Sequence, residues 1–334
     1  MITAVAAIFV FLLVVLLHEL GHFSVAKLVG IKVNEFAIGM GPKIFQRQNG
    51  ETQYTLRAFP IGGFVRMEGE EENSDDPRSF GKASVMSRIA TIAAGATMNF
   101  VLAIIVLSIV AFNVGVPTTT LSGTIEGSPA QEYGIQAGDK VLAINEIEIK
   151  EWQDIVDAIN YYGIGSELSV KVERNGSLET IQVMPVEDEG RVVIGITPEY
   201  EQSIGSAVKA GFQDTWYFIK LMFQFLGMLF QGKVSTDDLA GPIGVINEVG
   251  NAAKMGFTNL LYILGFISVN LGFFNLLPIP ALDGSKIVFL LIELVRGKPI
   301  DPEKEGFIHL VGFVFLISLM LIVTYKDLLR INIF

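Results

Sequence analysis

The chain has three histidines, and two of them stand in His18-Glu19-Leu20-Gly21-His22. This is H-E-x-x-H. In a helix, positions i and i+4 share a face about one turn apart, so both imidazoles can reach one tetrahedral zinc ion. Glu19 lies one position round from His18, close enough to take a proton from a zinc-bound water. The metal lowers the pKa of that water toward about 7, which makes it a nucleophile for a carbonyl carbon. The 334 residues include no Cys. Disulfides, iron–sulfur clusters and thiolate metal sites are thereby excluded, and any zinc must be held by His, Asp or Glu. A zinc hydrolase generally takes a third protein ligand and leaves one position to water. Two residues compete for that place. Asp283 closes Asn275-Leu-Leu-Pro-Ile-Pro-Ala-Leu-Asp283-Gly284, where Pro278 and Pro280 cannot continue a helix and open the chain into an extended segment. Its plain alternative is to begin a turn with Gly284. His309 stands alone in a late apolar run, where a single histidine otherwise serves as a hydrogen-bonded packing residue.

The elements that must carry these residues are apolar. Hydrophobic residues make up 51% of the chain and charged ones only 18%, against about 25% charge in an ordinary soluble domain. Four uncharged stretches, Met1–Leu17, Ile89–Val116, Phe257–Leu282 and Gly306–Tyr325, reach or approach the length of about 20 residues that spans a bilayer. Met1–Leu17 could instead be a signal-peptide core, but no Lys or Arg precedes it and no small-residue cleavage site follows. As a span it delivers His18 to one face of the hydrocarbon layer. There an ionisable cluster without a partner is expensive and therefore functional by default.

The net charge of −11 argues against a nucleic-acid partner, which requires a basic surface. Ala26–Arg88 carries nine basic residues against eight acidic, whereas Thr118–Ser206 carries five against sixteen. The positive-inside rule places the first segment in the cytoplasm and leaves the second outside. The segment 206–232 is apolar and aromatic but interrupted by Lys209, Asp214 and Lys220. It reads as an amphipathic helix lying on the outer surface or packed on the bundle, with a fifth span as the alternative. If Asp283 shares a metal with His18 and His22, the first and third spans end at the same cytoplasmic face. Only 89–116 then returns the chain outward between them, and 206–232 cannot cross.

The apolar H-E-L-G-H, the downstream N-L-L-P-I-P-A-L-D-G and the segments between them resemble the site-2 protease family of intramembrane zinc proteases. The closest likeness is to the bacterial branch with a PDZ domain, which takes part in sigma-factor and envelope-stress signalling. The resemblance covers essentially the whole chain, and with a single PDZ domain the chain departs from members that carry two. It implies His18, His22 and Asp283 as zinc ligands, Glu19 as catalytic base, and Asn270 and Asn275 as contacts to the substrate backbone. Their plain alternative is helix–helix hydrogen bonding.

Val33–Gln48 and Tyr54–Met67 are β-rich around Asn49-Gly50, a hairpin-turn signal. The family has a membrane-associated β-hairpin here, whose edge, near Gly62 and Gly63, could clamp an extended substrate. A simple surface hairpin remains the other possibility. Glu68–Asp76 is an acidic loop, and Ala94-Gly95-Ala96 with Asn99 marks close helix packing. Gly127-Ser-Pro-Ala130, Ala137-Gly-Asp139 and Ile144-Asn145 resemble a circularly permuted PDZ domain with Trp152–Tyr162 as its helix. Gly195 and Ile196 are then its peptide-binding residues. Leu239–Gly244 also matches the family and forms part of the connection to the third span.

The expected fold is a membrane α-helical bundle of four transmembrane helices with a membrane-associated β-hairpin and an inserted α+β PDZ domain. Its divisions are 1–117 (spans about 1–24 and 89–116, hairpin about 31–67), 118–200 (PDZ), 201–256 (connecting helix and loop) and 257–334 (spans about 257–282 and 306–325). The expected activity is zinc-dependent cleavage of single-pass membrane proteins, such as anti-sigma factors or remnant signal peptides, after a first extracytoplasmic cut. Expected partners are these substrates, peptide or substrate ends at the PDZ domain, and the bilayer of a bacterial plasma or inner membrane. The active site would lie near the cytoplasmic face and the PDZ domain outside. A non-catalytic peptide receptor is the alternative, against which the intact Glu19 stands. A metal transporter is weaker, because the bundle offers one His pair and no chain of acids.

Overall fold

A computed structural model of the chain describes residues 1–70, 74–188, 190–235 and 240–330. Leu239, Glu71, Glu72 and Asn73, which belong to two of the tracts named above, lie outside the described residues. The chain forms two compact units, Met1–Val110 with Val208–Phe334, and Ala111–Ala207.

The first unit begins with α1 (Ile2–Leu28), β1 (Val33–Asn49), β2 (Thr52–Met67) and α2 (Val85–Val114). In α1 the buried residues Ala7, Val10, Val14, His18, Gly21 and His22 recur every three or four positions, so both histidines continue the face that packs inward. That face meets Leu102 and Val106 of α2. A Cβ on Gly21 would lie 2.3 Å from the Ala94 carbonyl oxygen, so the two backbones touch, as small residues permit where no hydrophobic effect drives helices together.

The strands β1 and β2 form the expected β-hairpin and add a further pairing to it. Glu35–Ile38 has partners in β2 on both sides, Arg66–Gly63 on one and Gln53–Leu56 on the other. The cause is a bend that lets Gly63–Met67 return beside the start of β1. Buried Glu35 lies in β1 between these two arms of β2 and pairs with Arg57 at 3.0 Å and Arg66 at 3.2 Å.

The second unit holds β3 (Val116–Thr124), α3 (Pro129–Glu132), β4 (Lys140–Ile144), β5 (Ile147–Glu148), α4 (Trp152–Tyr162), β6 (Leu168–Arg174), β7 (Ser177–Val183), β8 (Val186–Asp188), β9 (Arg191–Val193) and β10 (Ile196–Glu201). Its main sheet has the order β10-β3-β4-β6-β7, with β5 paired to β4. Leu168, Val170 and Val172 alternate inward against Ile155, Ala158 and Ile159 of α4, which recur at helical spacing. Asn175 and Gly176 both take positive φ, as the tight turn between β6 and β7 requires.

The chain then returns to the first unit through α5 (Ile204–Phe230), α6 (Pro242–Met255), α7 (Phe257–Leu276), α8 (Asp283–Arg296) and α9 (Pro302–Arg330). Among the described residues, α1, α2, α7 and α9 are long and apolar enough to cross a membrane. Within this unit α5 packs along α2 and α7. Phe218 joins Ala103, Leu107 and Val269, and the Phe223 ring meets that of Phe273 at 4.9 Å.

Two differences from expectation bear on how Asp283 and α9 are placed. The third span ends at Leu276, not near 282, because Leu277 is extended ahead of Pro278. Helix α6 occupies ground that was expected to be loop. Its N-terminal amides at Gly241 and Gly244 donate to Asp327 on α9, a cap from 86 residues away that local sequence does not announce.

Asp139 is fully buried and forms a bond of 2.6 Å with Arg174. Burial alone would raise its pKa, but the Arg174 guanidinium and the Gln136 amide hold it below the usual carboxylate range. A depressed native pKa contributes stability that is complete above about pH 4 and is lost as pH falls through the native value. Arg174→Met strands the carboxylate and should destabilise the second unit by about 3 kcal/mol. Hydrogen exchange at the amides of β6 in the full chain measures this, and unchanged exchange would refute it.

Candidate metal centre

Three donor atoms converge where α1 meets the start of α8. His18 Nε2 lies 3.2 Å from His22 Nε2, and Asp283 Oδ2 lies 3.2 Å from the first and 3.4 Å from the second. Tetrahedral zinc with bonds of about 2.0–2.1 Å separates its ligands by about 3.3–3.4 Å, so this triangle has the size of one face of a zinc tetrahedron. Among the described residues, His18, His22 and Asp283 form the one group of three donors close enough to hold a metal ion.

The surrounding hydrogen bonds fit that role. His22 Nδ1 faces the Thr91 carbonyl oxygen at 2.9 Å. A carbonyl only accepts, so Nδ1 carries the proton and Nε2 of the neutral ring is a lone pair. The Asn99 amide nitrogen lies 3.2 Å from His18 Nδ1 and its Oδ1 is left without a partner, and exchanging the two ends of the amide satisfies both groups. With the amide oxygen turned to accept from Nδ1–H, His18 Nε2 is likewise a lone pair, the tautomer a ligand needs. Asp283 Oδ2 is buried and has no hydrogen-bond donor. Two lone pairs and a carboxylate oxygen pointing at one spot have a cation as their common partner.

Several elements hold this geometry. A Cβ on Gly95 would lie 2.3 Å from His22 Nε2 and 2.8 Å from His18 Cε1, so only glycine leaves room for the pair. Asp283 opens α8, where a carboxylate also complements the helix dipole. The helix is pinned at two further points. Lys286 pairs with Glu70 at 2.8 Å, and Arg88 of α2 makes a two-pronged contact with Glu293.

A cavity of about 150 Å³ opens on the triangle, lined by His18, Glu19, His22, Phe64, Val65, Met67, Glu70, Ile92 and Asp283. Glu19 therefore shares the space of the three donors. The returning strand Gly63–Met67 forms one wall, and a Cβ on Gly63 would stand 3.4 Å from Glu19 Cγ. Gly62 lies one residue further along, beside Met40.

The other residues singled out in the sequence lie apart from this cluster. The Asn270 amide donates to Phe266 within α7, and neither Asn270 nor Asn275 lines the cavity. His309 accepts a hydrogen bond from the Ala281 amide and is not one of the three donors. In the second unit, Gly195 has φ +79°, and its carbonyl accepts from Ser128 Oγ and Ile125 N. Ile196 begins β10, the outer strand of its sheet.

Thr91, Gly95, Asn99 and Glu70 act at the site without having been singled out for it. One signal was available, since Asn99 is a polar amide in a largely apolar span.

Asn99→Leu should weaken zinc binding by about 10–100-fold, as loss of a partner behind a ligand does. Gly95→Ala should displace the His22 ring and empty the site. Zinc retention against a chelator measures both, and wild-type retention in either variant would contradict this account of the ligand shell.

Comparison with known proteins agrees with the geometry. Residues 6–319 match Peptidase family M50. A Clostridium acetobutylicum relative is 42% identical over 97% of this chain and 96% of its own. The regulator of sigma-W protease RasP of Bacillus subtilis is 34% identical over 98% of each chain. The zinc metalloprotease RasP of Shouchella clausii is 33% identical over 98% of each. With its zinc-type donor triangle and these relatives, the chain belongs to peptidase family M50, the site-2 proteases, and is a membrane zinc metalloprotease.

Proposed function

We propose that this protease cuts single-pass membrane proteins within or near their transmembrane helix, after another enzyme has removed the external domain. One observation carries the reading. Glu19 shares a small cavity with three zinc-type donors in the C-terminal half of an apolar span, and a β-strand forms one wall. His18, His22 and Asp283 hold the zinc, which when bound supplies Lewis acidity toward a peptide carbonyl and its attacking water. Glu19 takes the proton from that water and later returns it to the leaving amine. Burial around the cavity excludes bulk water and strengthens these charges. The substrate helix must unwind to expose a carbonyl, and the backbone of Gly63–Met67 pairs with the resulting strand. Gly63 keeps this edge clear of a side chain beside Glu19, and Gly62, at φ +82° beside Met40, lets the backbone turn into it. Asn270 and Asn275 satisfy substrate backbone groups as the helix opens.

The second unit is the PDZ domain, placed outside the membrane with its net charge of −11. Gly195 and Ile196 receive a peptide end along the outer edge of β10. Alignment length supports a single such module. The Bacillus subtilis relative aligns over 416 positions against 334 residues here, so at least 82 of its positions have no counterpart, whereas the Clostridium acetobutylicum relative aligns over 329. An external module at this place favours substrates whose ectodomain has already been cut away. Anti-sigma factors and remnant signal peptides are substrates of that form.

Glu19→Gln should lower cleavage of a reconstituted single-pass helical substrate by at least about a hundredfold while zinc content stays at wild-type level. Chelation should abolish cleavage in the unaltered protein. Equal cleavage by the variant would overturn the protease mechanism in favour of a receptor. The chain lacks Cys, so single cysteines report topology without background. Cysteines introduced in 118–200 should label from outside and those near 43–50 only from inside. The reverse pattern would overturn the assigned sidedness.

A further inference from the structure

Helix α9 buries only Gly312, Val323 and Asp327 among its described residues. The last two serve the start of α6. The first belongs to a different contact, with the segment that leads to Asp283. A Cβ on Gly312 would lie 2.3 Å from Pro280 Cβ and 2.5 Å from its carbonyl oxygen. One turn earlier, His309 Nδ1 accepts a hydrogen bond of 3.0 Å from the Ala281 amide. The Phe289 ring of α8 meets the imidazole edge-on at 5.6 Å.

Ala281 has φ +76°. The other described non-glycine residues with positive φ are Asn145 and Asn175, a residue type that tolerates this conformation. An alanine there persists only when its surroundings hold it. The imidazole supplies that hold. Its Nδ1 must be unprotonated to accept, so the proton sits on Nε2, which faces Glu305 at 3.8 Å.

We propose that α9 is a strap for the third zinc ligand. His309 is a positioning residue, and Gly312 is the close-packing point beside it. By accepting the Ala281 amide, His309 fixes the bend that presents the Asp283 carboxylate to His18 and His22. The proposal rests on the reading of Asp283 as a ligand.

The test compares His309→Ala, His309→Asn, His309→Ala with Ala281→Gly, and Asp283→Asn, all in the full chain. The readouts are zinc loss to a chelator and the kcat and KM for a reconstituted single-pass helical peptide. His309→Ala should lower kcat and zinc affinity by about tenfold, with KM within about twofold. His309→Asn keeps an acceptor oxygen near the Nδ1 position and should stay within about threefold of wild type. Glycine at 281 adopts positive φ without the imidazole, so the double variant should recover most of the loss. Wild-type behaviour of His309→Ala, or a His309→Asn variant as impaired as alanine, would overturn the strap. Zinc retained by Asp283→Asn would overturn the ligand assignment itself. Zinc lost there with His309→Ala unaffected would overturn the strap alone.

A second measurement needs no variant. In 15N-histidine-labelled zinc-loaded protein, His18 and His22 should be protonated at Nδ1 and His309 at Nε2. Three rings all protonated at Nδ1 would remove the acceptor on which the strap depends.

Discussion

Everything in the first unit depends on bringing two imidazole nitrogens and one carboxylate oxygen within 3.4 Å of one another in the C-terminal half of an apolar helix. Such a cluster is costly at membrane depth, and a divalent cation turns the cost into a binding site. The requirement is strict because the donors come from residues more than 250 positions apart. Two come with a single helix turn and need only the i, i+4 spacing. The third must be delivered by a segment that has left helical structure and then resumed it.

The rest of the bundle can be understood as support for that delivery. Gly21 and Gly95 bring α1 and α2 into backbone contact and leave the imidazoles the only space they can occupy. Thr91 sets which nitrogen of His22 is free, and Asn99 does the same for His18 once its unpartnered Oδ1 faces Nδ1. The Arg88–Glu293 and Lys286–Glu70 pairs stop α8 from turning about its axis or lifting away. The strand Gly63–Met67 closes the remaining side. Buried Glu35 of β1 pairs with Arg57 and Arg66 on the two arms of β2, so ion pairs within the sheet help to position the wall beside Glu19.

Much of this was legible in the sequence, for identifiable reasons. The three donor residues could be read because histidine and carboxylate are rare beside apolar spans, and because Pro278 and Pro280 mark a break that no ordinary span contains. The strands around Asn49-Gly50 and Asn175-Gly176 could be read because turn chemistry is local. What escaped notice was non-local. Asp327 caps α6 across 86 residues, so that helix looked like loop. Glu35–Ile38 pairs on both sides because of a bend that alternation does not encode. Asn99 read as a packing residue, since an amide in a span can serve either purpose. Of the two candidates for third ligand, the sequence favoured Asp283 because the proline break leads to it, and the structure brings Asp283 rather than His309 to the histidine pair.

X-ray absorption at the zinc edge of the purified, inactive Glu19→Gln protein tests the ligand set most directly. The account requires a four-coordinate site with nitrogen and oxygen neighbours at about 2.0–2.1 Å and outer-shell scattering from two imidazoles. Replacing Asp283 by Asn should remove one oxygen neighbour or the metal altogether. Three imidazoles in the spectrum, or an unaltered spectrum after that replacement, would contradict it.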